Sequence, residues 1–134
     1  MSTIQFINPK GLFEGSFSHV AAVHGGTTVY ISGQVAFDED GKVSGKTFEA
    51  QCVKVFENLQ LALAGANADF SHLVKMNIYV RDLTSEKLQC LRSVRSSFLG
   101  SHQPASTLVA TPGLVHEDLM LEIEAVAVIP QADA

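Results

Sequence analysis

Two carboxylates set two residues apart, Glu122 and Glu124, interrupt an otherwise apolar run near the end of the chain, Leu119–Ile129. The run alternates. Leu119, Leu121, Ile123, Ala125, Ala127 and Ile129 fall on one side of a strand, and Met120, Glu122, Glu124, Val126 and Val128 on the other. Glu122 and Glu124 therefore point the same way, roughly 6–7 Å apart. A strand apolar on both sides is normally covered on both sides. Burying a carboxylate there is costly unless it is paired or hydrogen-bonded, and an unpaired one titrates high. Such a group is suited to take a proton from water. The plainer reading is a structural pair, satisfied by a neighbouring Lys, Arg or Ser. Both readings stand at this point.

No other chemistry-bearing pattern competes with this pair. The five histidines, at 19, 24, 72, 102 and 116, share no metal-ligand spacing with one another or with Cys52 and Cys90, so no metal is expected. Nucleophile elbow, phosphate loop and dinucleotide fingerprint are all missing, and no cofactor is expected either. Asp38-Glu39-Asp40-Gly41 lacks the later oxygen ligands of a calcium loop and reads as a solvated turn. Both cysteines fall within helical patterns, where a buried reduced thiol is the usual case. A net charge of −5 and the lack of Trp argue against a nucleic-acid partner. Met1–Lys10 has no apolar run of the signal-peptide kind and no stretch is long enough to span a membrane, so a cytosolic protein is expected.

The elements that must position Glu122 follow from periodicity and punctuation. At 134 residues the chain reads as one domain, 1–134. Met1–Lys10 looks like a lead-in, and Gly15–Val23 a first strand with Phe17 near its start. His24-Gly25-Gly26-Thr27 has the glycines of a tight hairpin turn. Thr28–Phe37 is β-branched and aromatic, hence a strand. Gly33 inside it marks a bulge or a place where something approaches the backbone. Thr47 caps a helix carrying Phe48, Cys52, Val55, Phe56, Leu59 and Leu63, with Gly65 as its stop. His72–Val80 is strand-like. Asp82–Ser85 caps a second helix carrying Leu88, Leu91, Val94 and Phe98, ended by Gly100. A closing strand pair within Pro104–Ile129 completes an α+β fold, with both helices on one face of a single mixed sheet. The other face, with Glu122 and Glu124, is left for a second subunit.

Three stretches together resemble the RidA family (YjgF/YER057c/UK114). They are ISGQ at Ile31–Gln34, ENLQLALAGANADFSHLVKMNIYVRDL at Glu57–Leu83, and PASTLV followed by LEIEAVAV across Pro104–Val128. The resemblance implies a chorismate-mutase-like α+β fold and a homotrimer whose sheets form a central barrel. It also implies small-molecule clefts between subunits. The implied reaction is hydrolysis of reactive 2-imino or enamino acids to 2-keto acids and ammonia, without metal or cofactor. Position by position, Glu122 matches the carboxylate that handles water, Ser32 and Gly33 the strand lining the cleft, and Phe17 an aromatic at its mouth. Ser106 stands where active members of the family carry an arginine that forks onto the substrate carboxylate. Ser106 and Thr107 then offer only hydroxyls, and Arg92 and Arg95 are the cations available as substitutes. The alternative to an enzyme is a non-catalytic trimer binding small metabolites in the same clefts. A protein-stabilising or RNA-cleaving role is a third class, disfavoured for RNA by the acidic charge.

Overall fold

The computed structural model describes residues 3–131. Its elements in chain order are β1 (Ile4–Ile7), β2 (Val20–Val23), β3 (Thr27–Gln34), α1 (Phe48–Gly65), β4 (Leu73–Arg81), α2 (Ser85–Leu99), β5 (Ala105–Thr111) and β6 (Leu121–Ile129). A single 3₁₀ turn, Phe70–His72, leads into β4.

Both helices begin as their capping residues dictate. The Thr47 side chain accepts from the Ala50 amide, and that of Thr84 from the Lys87 amide. On α1 the buried residues Cys52, Val55, Phe56, Leu59 and Leu63 recur at helical spacing; on α2 Leu91, Val94 and Leu99 do the same. β6 is buried at 121, 123, 125 and 127, every second residue, so one face of the strand enters the core. Four strands make the main sheet in the order β3-β6-β4-β5, with β6 antiparallel to both neighbours and β5 parallel to β4. Both helices cover one face of this mixed sheet, as expected. Phe56, Leu59 and Leu63 share a core with Met76, Ile78, Leu121 and Ile123. Phe56 stacks on Phe98 with ring centroids 5.4 Å apart, and Phe70 closes the group edge-on at 5.9 Å from Phe98.

The amino-terminal part departs from expectation. β1 and β2 form a two-stranded antiparallel sheet of their own, so the strands do not make a single sheet. The lead-in segment holds β1 (Met1 and Ser2 lie outside the described residues), and the first strand shrinks from Gly15–Val23 to Val20–Val23. Residues 15–19 are drawn away from β1 to the start of β5. There Ser18 bridges Ala105, its amide donates to the Pro104 carbonyl at 3.2 Å, and its hydroxyl to the Gln103 carbonyl at 2.5 Å. Gly25 and Gly26 do adopt positive φ, +71° and +81°, but the turn is no hairpin. It carries the chain from the small sheet to the large one. At Gly26 a Cβ would stand 2.6 Å from the Ile129 carbonyl oxygen, so β6 itself excludes a side chain there. The closing strands, too, are not neighbours, because β4 lies between β5 and β6. The acidic turn is ordered by its first residue: Asp38 accepts from the Asp40 and Lys42 amides at 2.9 and 3.0 Å.

Both thiols are free; Cys52 is fully buried and Cys90 partly exposed. Burial pushes the Cys52 thiol up to about 12, while the Cys90 thiol is raised as well, again chiefly by desolvation. A maleimide at pH 8 is therefore expected to label Cys90 at least about tenfold faster than Cys52 in the native protein. Peptide mapping of a labelling time course checks this, and equal rates would contradict the burial argument.

Candidate functional site

β6 runs between β3 and β4, and that places Glu122 and Glu124 on the sheet face away from the helices. In register, Glu122 lies opposite Tyr79 and Glu124 opposite Asn77. The two carboxylates then part company. Glu124 accepts from Asn77 Nδ2 at 3.1 Å and from the Tyr79 hydroxyl at 2.7 Å. That bond to a carboxylate holds the Tyr79 hydroxyl above its ordinary pKa. Glu122 accepts no hydrogen bond and joins no ion pair among the described residues. The structural reading suits Glu124; the Glu122 oxygens are left without a partner among the described residues.

What seats Glu122 is a missing side chain. Between Ile31 and Gln34 the pairing of β3 with β6 shifts, so that three steps on β3 match two on β6, a bulge at Ser32-Gly33. A Cβ on Gly33 would collide with Glu122 Oε2 and lie 2.8 Å from its Cδ. The carboxylate rests on the glycine backbone, and both expectations for Gly33 hold. Ser32 is exposed beside it, its carbonyl accepting from Gln34 Nε2 at 3.0 Å.

Ser106 and Thr107 point to opposite sides of the sheet, because Ser106 is in register with Met76 of the core and Thr107 with Asn77 of the open face. Thr107 accepts from Lys75 Nζ at 2.8 Å. Ser106 opens instead into a cavity of about 430 Å³ between β5, α2 and the segment 13–17. Phe17 lines the same cavity, its ring edge-on to His19 at 5.1 Å, while His19 Nε2 meets the Phe13 carbonyl. Arg92 and Arg95, three residues apart on α2, also face it. Arg95 Nη2 donates to Ser16 Oγ at 2.6 Å. Desolvation first, and the neighbouring Arg92 charge second, hold the Arg95 guanidinium below its usual pKa.

The six expected site residues thus form two groups within one chain. Ser32, Gly33, Glu122 and, at the far side of β4, Thr107 belong to the open face; Phe17 and Ser106 belong to the cavity on the helix side. Sequence reasoning passed over the stripe Lys75, Asn77 and Tyr79, which lines the open face beside Glu124. Its signal was there: polar residues at every second position of an otherwise apolar strand. Among the described residues no group of three or more His, Cys, Asp or Glu could hold a metal ion. No described helix is long and apolar enough to cross a membrane.

Known proteins share this fold and this sequence pattern. Over 96% of the chain, with a TM-score of 0.89 and 27% identity, the structure is similar to the whole of YyfB, a Rid-family protein of Yersinia pestis. RidA from an Antarctic Psychrobacter is 33% identical, with a TM-score of 0.71, over 96% of this chain and all of that one. A 2-iminobutanoate/2-iminopropanoate deaminase of Dermatophagoides farinae is 29% identical, spanning 81% of this chain and 83% of its own length. The mitochondrial protein MMF1 of Saccharomyces cerevisiae is 26% identical over 94% of this chain and 86% of its own. The family model described as endoribonuclease L-PSP matches residues 12–129, and the chain belongs to that family, the RidA/YjgF proteins.

Proposed function

We propose that this protein hydrolyses small imines or enamines to carbonyl compounds and ammonia, in clefts completed between the subunits of a homotrimer. The observation that carries the reading is Glu122: a carboxylate with no hydrogen-bond or ion-pair partner among the described residues, seated on Gly33, on an open sheet face. The activity for which the 29% identical protein of Dermatophagoides farinae is named supports the reaction class. Tyr30 is 81% and Val109 44% exposed on the same face, apolar surface of the kind a second subunit covers. Because the Glu122 group and the Phe17–Ser106 cavity lie on opposite sides of one sheet, a cleft using both takes one group from each of two subunits. In that cleft Glu122 takes a proton from water as its oxygen adds to the imine carbon. Glu122 returns that proton to the imine nitrogen, giving a carbinolamine. This collapses as its hydroxyl proton passes by way of Glu122 to the same nitrogen, the C=O bond forming while the C–N bond breaks and ammonia leaves. No metal or cofactor enters these steps.

A second reading rests on Ser106. A serine cannot form the two parallel hydrogen bonds of a guanidinium on a carboxylate. If nothing replaces that grip, the trimer binds small metabolites in the clefts without turning them over. Ammonia release from freshly generated 2-iminobutanoate and a panel of neutral imines separates the two. The catalytic reading expects release above the spontaneous rate and, by light scattering, three times the chain mass of 14.4 kDa. A stable monomer, or no acceleration on any imine, would overturn it.

A further inference from the structure

The cavity between α2, β5 and the 13–17 segment has a distribution of groups that neither packing nor folding explains. Its wall is apolar, with Phe17, Leu88, Leu91 and Leu108; its polar groups are the Ser16 and Ser106 hydroxyls and two guanidiniums, Arg92 and Arg95. Two cations three residues apart on one helix face repel each other, and Arg95 is partly buried besides. Neither forms an ion pair with a carboxylate among the described residues. Glu14, the single acidic residue at the rim among the described residues, is exposed and forms no ion pair with any of them. A helix left to its own stability would gain by losing one of these charges.

We propose that Arg92 and Arg95 are the anion-holding pair of this cavity and that it takes a small carboxylate carrying a short apolar chain. The guanidiniums supply planar donors that match a carboxylate edge, the Ser16 hydroxyl steadies Arg95 by accepting from its Nη2, and the Phe17–Leu108 wall takes the chain. Ser106 is then small because a larger side chain would fill the space that the ligand needs. The α2 arginines do what no residue of β5 does in this chain. A partly desolvated guanidinium next to a like charge has the most to gain from an arriving anion. A volume of about 430 Å³ is ample for a four- or five-carbon acid.

This assignment rests on the reading that substrate enters beside Phe17, and its test is binding, kept apart from turnover. Titration of the wild-type protein with 2-oxobutanoate, followed by calorimetry at low salt, is expected to show saturable binding. Arg92→Gln and Arg95→Gln are each expected to weaken it about tenfold, and the double variant about a hundredfold or more. Butanamide, of the same size but uncharged, should not bind measurably. Arg95→Lys, which keeps the charge and loses the fork, should fall between wild type and Arg95→Gln. Thermal melting of each variant controls for folding, and Ser16→Ala, which releases Arg95 from its hydroxyl partner, should weaken binding by less than Arg95→Gln does. Undiminished binding by a folded double variant, equal binding of butanamide, or no binding by the wild type up to about 50 mM would each overturn the assignment. Binding that obeys the arginines without any ammonia release would remove the catalytic reading and leave this one standing. Ammonia release with binding indifferent to the arginines would do the reverse.

Discussion

Turnover of whatever imine the protein accepts is expected to fall about 10²–10⁴-fold on Glu122→Gln, the span that a positioned general base contributes. The fold should not notice. Glu122 accepts no hydrogen bond among the described residues, so the amide leaves no partner stranded, and the melting temperature should stay within about 2 °C. Gly33→Ala attacks the same group without touching it. The new Cβ would overlap the end of the Glu122 side chain, which is flexible and can swing aside at small cost in stability. A displaced carboxylate is a poor base, because misplacement by about 1 Å alone costs on the order of 10²-fold. Both variants are read by ammonia release at saturating substrate, beside light scattering. If Glu122→Gln assembles normally and is fully active, Glu122 is not the base. If both variants lose assembly rather than rate, the residue belongs to the interface.

Gln51→Leu is expected to remove about 3–5 kcal/mol of stability, lowering the melting temperature by roughly 10–20 °C. Gln51 is 1% exposed on the apolar face of α1. Its amide nitrogen donates to the Gly45 and Asp118 carbonyls at 3.2 and 2.9 Å, and its Oε1 accepts from the Met120 amide at 2.9 Å. Leucine fills a similar volume and leaves all three backbone groups without that partner, each costing about 1–3 kcal/mol if water cannot reach it. Denaturant unfolding measures the difference. A loss below about 1 kcal/mol would mean that water takes over the three bonds. Because Met120 sits next to the first residue of β6, the same change should also loosen the approach to Glu122.

Long periodic segments were the readable part of this chain. α1, α2 and β6 follow from the spacing of Val55, Leu59 and Leu63, of Leu91 and Val94, and of Leu121, Ile123 and Ala125. Each buries a whole face, and burial is what the pattern encodes. Gly33 was readable for a similar reason, since a glycine inside a strand needs a local cause. β1 and β2 were not. They are four residues each, half-exposed, and what holds residues 15–19 away from them is a contact with Gln103 and Pro104, far along the chain. Gln51 gave no sign either, because a polar residue on an apolar helix face does not announce which backbone it will meet. The split between Ser106 and Thr107 was available in principle, since neighbours in a strand face opposite ways. It was hidden by treating the two hydroxyls as one hydrogen-bonding unit. The spacing of Arg92 and Arg95 put them on one helix face, but only the packing of α2 against β5 shows that the face looks onto Ser106.

The clasp of Ser18 over the start of β5 bears on strand addition at the edge of the sheet. A sheet with two bare flanks invites a strand from another molecule to add on, and growth of that kind has no natural end. Here the flank formed by β5 is engaged at its first residue by Ser18, which is itself 4% exposed and so cannot be peeled off by solvent. The flank formed by β3 is bent by the bulge at Ser32-Gly33, which breaks the regular row of donors and acceptors a newcomer would have to match. The bulge that gives Glu122 its seat thus also spoils an edge. Strand-by-strand addition of a further copy is therefore opposed at both flanks of the sheet.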